Sequence, residues 1–190
     1  RLAAVLPSNR PQGHSRLLAF MAIAASLALR FGLLRRHAFN PDEFQHLHGA
    51  WCIANGLLPY RDYFEHHTPW LHFFLAPFLA LFDVERNPAA AEAFTFFARA
   101  WMVVFSGLAL ALTYVLGRAW GGAALACTGT VFLATTVMFL DKTLEIRPDV
   151  PAVAFLLGSW VALLHAFRGR EAGGKEGRRF AESGFLLGAA

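Results

Sequence analysis

Charge is scarce in this sequence. Only 16% of the residues are Asp, Glu, Lys or Arg, against ~25% in soluble domains. Residues 100–117, 119–140 and 150–167 hold no charged residue at all. A soluble helix of that length keeps a polar face, whereas a bilayer core of ~30 Å asks for roughly 17–25 apolar helical residues. A soluble domain is therefore excluded. Cysteine is also sparse: Cys52 and Cys127 give no disulfide framework and read as unpaired. There is no HExxH and no cysteine pair, so no zinc motif is present. No signal peptide with a small-residue cleavage site is visible, because Arg30, Arg35 and Arg36 close the first apolar run. No internal repeat or low-complexity tract appears.

What is present is apolar. The hydrophobic fraction is 56% and the mean hydropathy +0.43. The net charge of +4 sits at the ends of apolar runs, which points to membrane topology and not to nucleic acid. The expected fold is an all-α polytopic integral membrane protein. It has four crossings at residues 17–34, 93–116, 119–140 and 150–167, and a fifth span starting near Phe180. The chain starts without Met and stops inside an apolar stretch, so it reads as the N-terminal part of one larger transmembrane domain.

Residues 69–83 are apolar but short, with Pro69, Pro77 and His72 among them. The N-terminal arm (Arg1, Arg10, Arg16) and the loop at 168–179 are both basic and should be cytoplasmic. An even number of crossings must separate them, so 69–83 is expected to lie in the membrane interface. The loop 35–68 and the short loop 141–149 then share the outer face.

In the first loop, Asn40-Pro41-Asp42-Glu43 predicts a helix start. Asn40 caps, Pro41 takes the first position and Glu43 closes a capping box. Phe39 and Phe44 have staple spacing. Phe44, Leu47, Trp51, Ala54 and Leu58 form one apolar stripe and Asn55-Gly56 a stop, giving an amphipathic surface helix over 42–56. Asp42 and Glu43 have two readings here: acids favoured by the helix dipole, or a carboxylate acting as general base. The stretch from Tyr60 to Trp70 packs Arg61, Asp62, Glu65, His66 and His67 among aromatics. An aromatic belt explains the rings but not the charges. Cationic donors at headgroup level suit a phosphate. His46 with His48, or His66 with His67, are conceivable zinc ligands without a supporting motif. The second loop holds Asp141, Lys142, Glu145, Arg147 and Asp149. Pro148 and Pro151 bracket Asp149, which predicts an extended chain there.

These motifs carry a resemblance. Asp42-Glu43, then Tyr60-Arg61-Asp62-Tyr63-Phe64-Glu65-His66-His67-Thr68-Pro69, then Arg147-Pro148-Asp149, resemble the outer loops of C-fold superfamily membrane glycosyltransferases. The nearest likeness is to the dolichyl-phosphate-mannose protein mannosyltransferase-like family, which includes bacterial lipid A aminoarabinose transferases. The resemblance covers about residues 17–167. It implies transfer of a sugar from a polyprenyl-phosphate donor to a lipid, glycan or protein acceptor. The reaction would take place at the outer face of a bacterial plasma membrane, among membrane lipids and without nucleic acid. It implies Asp42 as the base that activates the acceptor hydroxyl, with Glu43 supporting it. Glu65 would orient the site, His66 would lie next to the lipid phosphate, and Asp149 near the acceptor or a divalent metal ion; Arg61 and His67 are the competing phosphate contacts, and Arg147 is a further candidate substrate-binding residue. Gln45 stands where relatives can have a basic residue. Family members usually have about twice as many spans, so this chain alone is expected to be inactive. The other reading is a transporter or non-catalytic membrane subunit, for which ionisable residues should lie near mid-span.

Overall fold

The computed structural model describes residues 12–171 and 176–189, which are helical and contain no β-strand. Arg1, Arg10 and the side chains of the 168–179 connector lie outside what is described. In chain order the elements are α1 (Gln12–Leu33), α2 (Pro41–Ala54), α3 (Trp70–Leu79), α4 (Pro88–Thr135), α5 (Val137–Lys142), α6 (Asp149–Glu171) and α7 (Glu176–Ala189). Three of these, α1, α4 and α6, are long and apolar enough to cross a membrane. The chain is thus an all-helical protein of membrane type. Both cysteines are free, as the sequence indicates.

The 48-residue α4 is not straight. Gly122 has φ 78° and ψ −163°, a conformation that glycine adopts without a steric penalty. A Cβ on Gly117 would lie 2.6 Å from Ala126 Cα, and one on Gly129 would lie 3.9 Å from Thr113 Cγ2. In an unbroken helix residues so far apart would be separated by well over 10 Å. The chain therefore reverses at Gly122, and the two arms of α4 pack as an antiparallel hairpin. The sequence places this turn between residues 116 and 119. It falls later because Arg118, Ala119 and Trp120 continue the helix and the glycines follow them.

Gly117 makes the close approach of the arms possible. Gly117→Leu is expected to force them apart and cost about 1–3 kcal/mol, read as a lower Tm in detergent. Gly129→Ala, whose methyl would find ordinary contact distance, should change Tm little. Equal Tm values for Gly117→Leu and wild type would contradict the hairpin.

Contacts along α1 order the rest. Leu27 meets Gly107 and Arg99 reaches the Leu34 carbonyl, so α1 runs antiparallel to the first arm of α4. Cys127 Sγ donates to the Ser15 carbonyl and Arg30 Nε to Thr143 Oγ1, so α1 runs parallel to the second arm. α1 and the second arm with α5 rise toward one end of the bundle, and the first arm and α6 descend from it. α7 turns back along α6, with Ser183 Oγ donating to the Ser159 carbonyl.

The short elements gather at the upper end. With 10 residues, α3 is about 15 Å long and cannot cross. Its Leu71, His72, Leu75 and Leu79 are buried. Its aromatic edge locks onto the bundle: Trp70 meets Phe155 at 4.7 Å and Phe74 meets Trp101 at 5.1 Å, both edge to face. α2 lies beside it. Gly49 is required there, because a Cβ would come within 2.9 Å of the His72 ring.

One expectation is refined and one is overturned. The sequence leaves open which face of α2 the protein buries, and it is not the apolar stripe. Phe44 is exposed and Leu47 and Trp51 are partly buried, while Glu43, His46, Gly49, Ala50 and Cys52 are buried. The stripe lines an apolar cavity with Val84 and Phe94, and the polar face turns inward because it has partners there. Asp149 is not extended either. It begins α6, with Pro151 in the first turn, where a missing N–H costs nothing.

Candidate active site

The start of α2 follows the sequence closely. Asn40 Oδ1 accepts from the Asp42 N–H, Glu43 Oε1 accepts from the Asn40 N–H at 2.9 Å, and Phe39 packs on Phe44 at 5.8 Å. The cap is therefore made by Asn40 and Glu43. The Asp42 side chain takes no part in it.

Glu43 does more than cap. It is fully buried, and Arg99 from α4 grips it with two bonds, Nη2 to Oε1 at 2.6 Å and Nε to Oε2 at 2.7 Å. Arg99 is also fully buried. Its remaining donors go to the carbonyls of Leu34, His37 and Ala38 at 2.9–3.0 Å, and its guanidinium lies 4.6 Å from the Phe39 ring centroid. All five guanidinium N–H groups are thus used. Glu43 Oε2 also accepts from the Ile146 N–H at 3.1 Å. One ion pair therefore joins the end of α1, the start of α2, the first arm of α4 and the second loop. A carboxylate with four bonds has no free lone pair for a substrate proton, so Glu43 is a positioning residue.

Asp42, next to it, is different. Its side chain is 56% exposed, and its contact is Arg147 Nη1 at 3.5 Å from Oδ2. Arg147 also binds Glu145 Oε2 and Asp149 Oδ2, both at 3.2 Å. Arg147 thus gathers carboxylates from two loops distant in sequence. Lys142 continues the network to Glu145 at 2.9 Å and Asp141 at 3.1 Å, and His37 Nε2 lies 3.0 Å from Asp141. The hydrogen bonds from His37 and Lys142 hold Asp141 below the usual carboxylate range. Burial would raise Glu145, but its bonds to Lys142 and Arg147 outweigh that and hold it low.

One turn along α2 from Asp42, His46 opens a second cluster. Its Nδ1 lies 3.2 Å from His72 Nε2, and its ring is 4.8 Å from that of His67. Glu65 is buried, and its Oε1 accepts from the backbone N–H groups of His66 and His67 and lies 2.9 Å from His67 Nδ1. These bonds overcome burial and keep Glu65 below its usual pKa. His72 Nδ1 is buried without a hydrogen-bond partner, 3.8 Å from Glu65 Oε2. His66 is the open member, with a side chain 56% exposed and stacked on Phe64.

Burial, then the neighbouring His72 and His67, push the His46 pKa down to about 4. Burial also lowers His72. A histidine held neutral in the fold but titrating near 6.5 when unfolded adds stability above pH 6.5, and that stability is lost as pH falls toward 4. For His46 alone the loss is about 2 kcal/mol once some screening by water is allowed. Tm measured from pH 7.5 to pH 4.5 should therefore fall on acidification, and less steeply in His46→Leu. Identical acid limbs in the two proteins would contradict a neutral buried His46.

The structure brings together Asp42, Arg147 and Asp149, and separately Glu65, His66 and His67. Arg61 joins neither group. Its guanidinium pairs with the adjacent Asp62, which in turn accepts from the Leu58 N–H to close a local turn. Among the described residues, two groups have ligand atoms close enough to hold an ion: Glu65 with His66 and His67, and His37 with Asp141 and Glu145. In the first, Oε1 already serves three hydrogen-bonding groups, and in the second, the Lys142 ammonium lies on both carboxylates.

Sequence reasoning missed the organising role of Arg99 and the place of Arg30. Arg30 is fully buried, reaches Ser26 and Thr143, and lies 5.1 Å from the Phe139 ring centroid. The available signal was a charge inside an apolar run. No family model, curated protein or solved structure matches this chain. The class stands on the helices: an all-α protein built for a membrane, with a polar, ion-paired cap at one end of its bundle.

Proposed function

We propose that this cap is the outward-facing part of the active site of a membrane glycosyltransferase that takes its sugar from a polyprenyl-phosphate donor. On this reading the chain makes four crossings: α1, each arm of the α4 hairpin (the second continued as far as Leu140 in α5), and α6. α2 and α3 lie in the outer interface of a bacterial plasma membrane. The observation that carries the reading is Arg147, which draws the exposed Asp42 and Asp149 from two separate loops to one place. Asp42 is the general base. Glu43, bound to Arg99, fixes its backbone.

The chemistry is consistent with an inverting transfer. A base removes the acceptor hydroxyl proton as the oxygen attacks the anomeric carbon, and the bond to the lipid phosphate breaks on the opposite side. Arg147 orients Asp42, and hydrogen-bond donors such as His66 stabilise the departing phosphate. The ionisable residues lie near helix ends at the upper cap, whereas a transporter would place them around a mid-membrane site.

The test uses the full-length protein in proteoliposomes with a panel of radiolabelled polyprenyl-phosphate sugars. The reading expects release of polyprenyl phosphate dependent on an acceptor, and weaker donor binding in His66→Ala than in wild type. No donor binding and no turnover with any member of the panel would contradict it.

A further inference from the structure

The opposite end of the bundle carries a feature that the proposed reaction does not use. From Arg99 in the cap to Arg118, the first arm of α4 runs about 28 Å at ~1.5 Å per residue, close to the thickness of a bilayer core. Beside Arg118, between α4 and α6, is a cavity of about 190 Å³. Val115, Val161 and Leu164 form its apolar wall, and Arg118 and His165 supply its polar groups. Arg118 is half-buried and makes no hydrogen bond or ion pair with any described residue. A half-buried guanidinium without an anion gains strongly from one, and its planar fork matches phosphate oxygens.

The surroundings mark a membrane–water boundary. Trp120 and Trp160 are exposed near the cavity with ring centroids 6.4 Å apart, as interfacial tryptophans are. The charge at this end is basic. Arg16 is exposed at the start of α1, and the connector after α6 has Arg168, Arg170, Lys175, Arg178 and Arg179 against Glu171 and Glu176 in sequence.

We propose that the cleft between α4 and α6 binds the phosphate headgroup of an anionic phospholipid, with Arg118 as its principal donor and the acyl chains lying along the apolar wall. The charge selects an anion. The apolar wall and the tryptophan pair select an anion attached to a lipid over a soluble one. The site lies on the face opposite the cap, so it takes a structural lipid and not the sugar donor. The inference depends on the helices crossing a membrane and is independent of the proposed transferase activity.

The test reconstitutes the full-length protein with spin-labelled phosphatidylglycerol or phosphatidylcholine and measures the fraction held at the protein. One cation near a membrane surface contributes about 1 kcal/mol toward anionic lipid, so wild type should prefer phosphatidylglycerol about fivefold. Arg118→Gln should remove most of that preference, and Arg118→Lys should keep much of it. Arg16→Gln, which alters the same end away from the cleft, should change it little. Equal small losses in Arg118→Gln and Arg16→Gln would mean diffuse attraction only and would overturn the site. Displacement of the spin-labelled lipid by millimolar inorganic phosphate would overturn the lipid as its ligand. Absence of any preference in wild type would overturn both.

Discussion

Replacing Arg99 with Met is expected to destabilise the protein by about 3–5 kcal/mol, the usual consequence of removing one partner of a buried ion pair. The reason is local. Glu43 would remain fully buried with its charge uncompensated, and the carbonyls of Leu34, His37 and Ala38 would lose their donors together. Arg99→Lys should recover little, because an ammonium has three donors where five are in use. Glu43→Gln should be costly for the mirror reason: the guanidinium keeps its charge and loses its counterion. The Ile146 N–H also bonds to Glu43, so this change loosens the second loop and with it the position of Arg147. Thermal unfolding followed by tryptophan fluorescence in detergent reads the effect. A change in stability under 0.5 kcal/mol in Arg99→Met would show that the ion pair does not organise the cap.

Asp42→Asn should do the reverse: little to stability and much to rate. The helix cap belongs to Asn40 and Glu43, and the Asp42 carboxylate is exposed with a long contact to Arg147. The amide keeps the size and loses the basicity, so the fold should change by no more than ~0.5 kcal/mol. Turnover should fall by about two to four decades, the range for general base catalysis, while the lipid donor still binds. Turnover within a few-fold of wild type would remove Asp42 as the base. A large fall in Tm would show that its role is structural after all. The contrast with Glu43, one residue away, makes this pair of substitutions informative, since two adjacent acids are expected to fail in different ways.

Much of this was legible in the sequence because it is local. The capping box, the staple and the start of α2 need only residues 39–44. The long apolar runs locate the helices, and a 10-residue α3 was too short to span. The partners of those elements were not legible. Glu43 and Arg99 are far apart in sequence, and one sequence holds no pairing information. The buried acid looked like a capping residue, and nothing in the sequence singled out Arg99 as its partner. The face of α2 that the protein buries was not legible, for a physical reason. Its apolar stripe is what a membrane-surface helix shows to lipid or to an apolar cavity, and the polar face is buried because Arg99, His72 and the Tyr63 hydroxyl meet it there. Arg61 looked like a phosphate ligand because its neighbours are charged, but Asp62 satisfies it first. The hairpin turn was placed a few residues early, since charge at Arg118 is a weaker turn signal than the glycine pair that follows it.

The central claim is that two loops distant in sequence form one site on the outer face of a four-crossing bundle. Sided cysteine labelling in whole cells tests it most directly, using the full-length protein with Cys52 and Cys127 replaced by alanine. A membrane-impermeant maleimide should label Asp62→Cys and Asp149→Cys from outside. It should reach a cysteine placed at Arg170 only after the membrane is permeabilised. Labelling of the Asp62 and Arg170 replacements from the same side, or of Asp62→Cys and Asp149→Cys from opposite sides, would contradict the account.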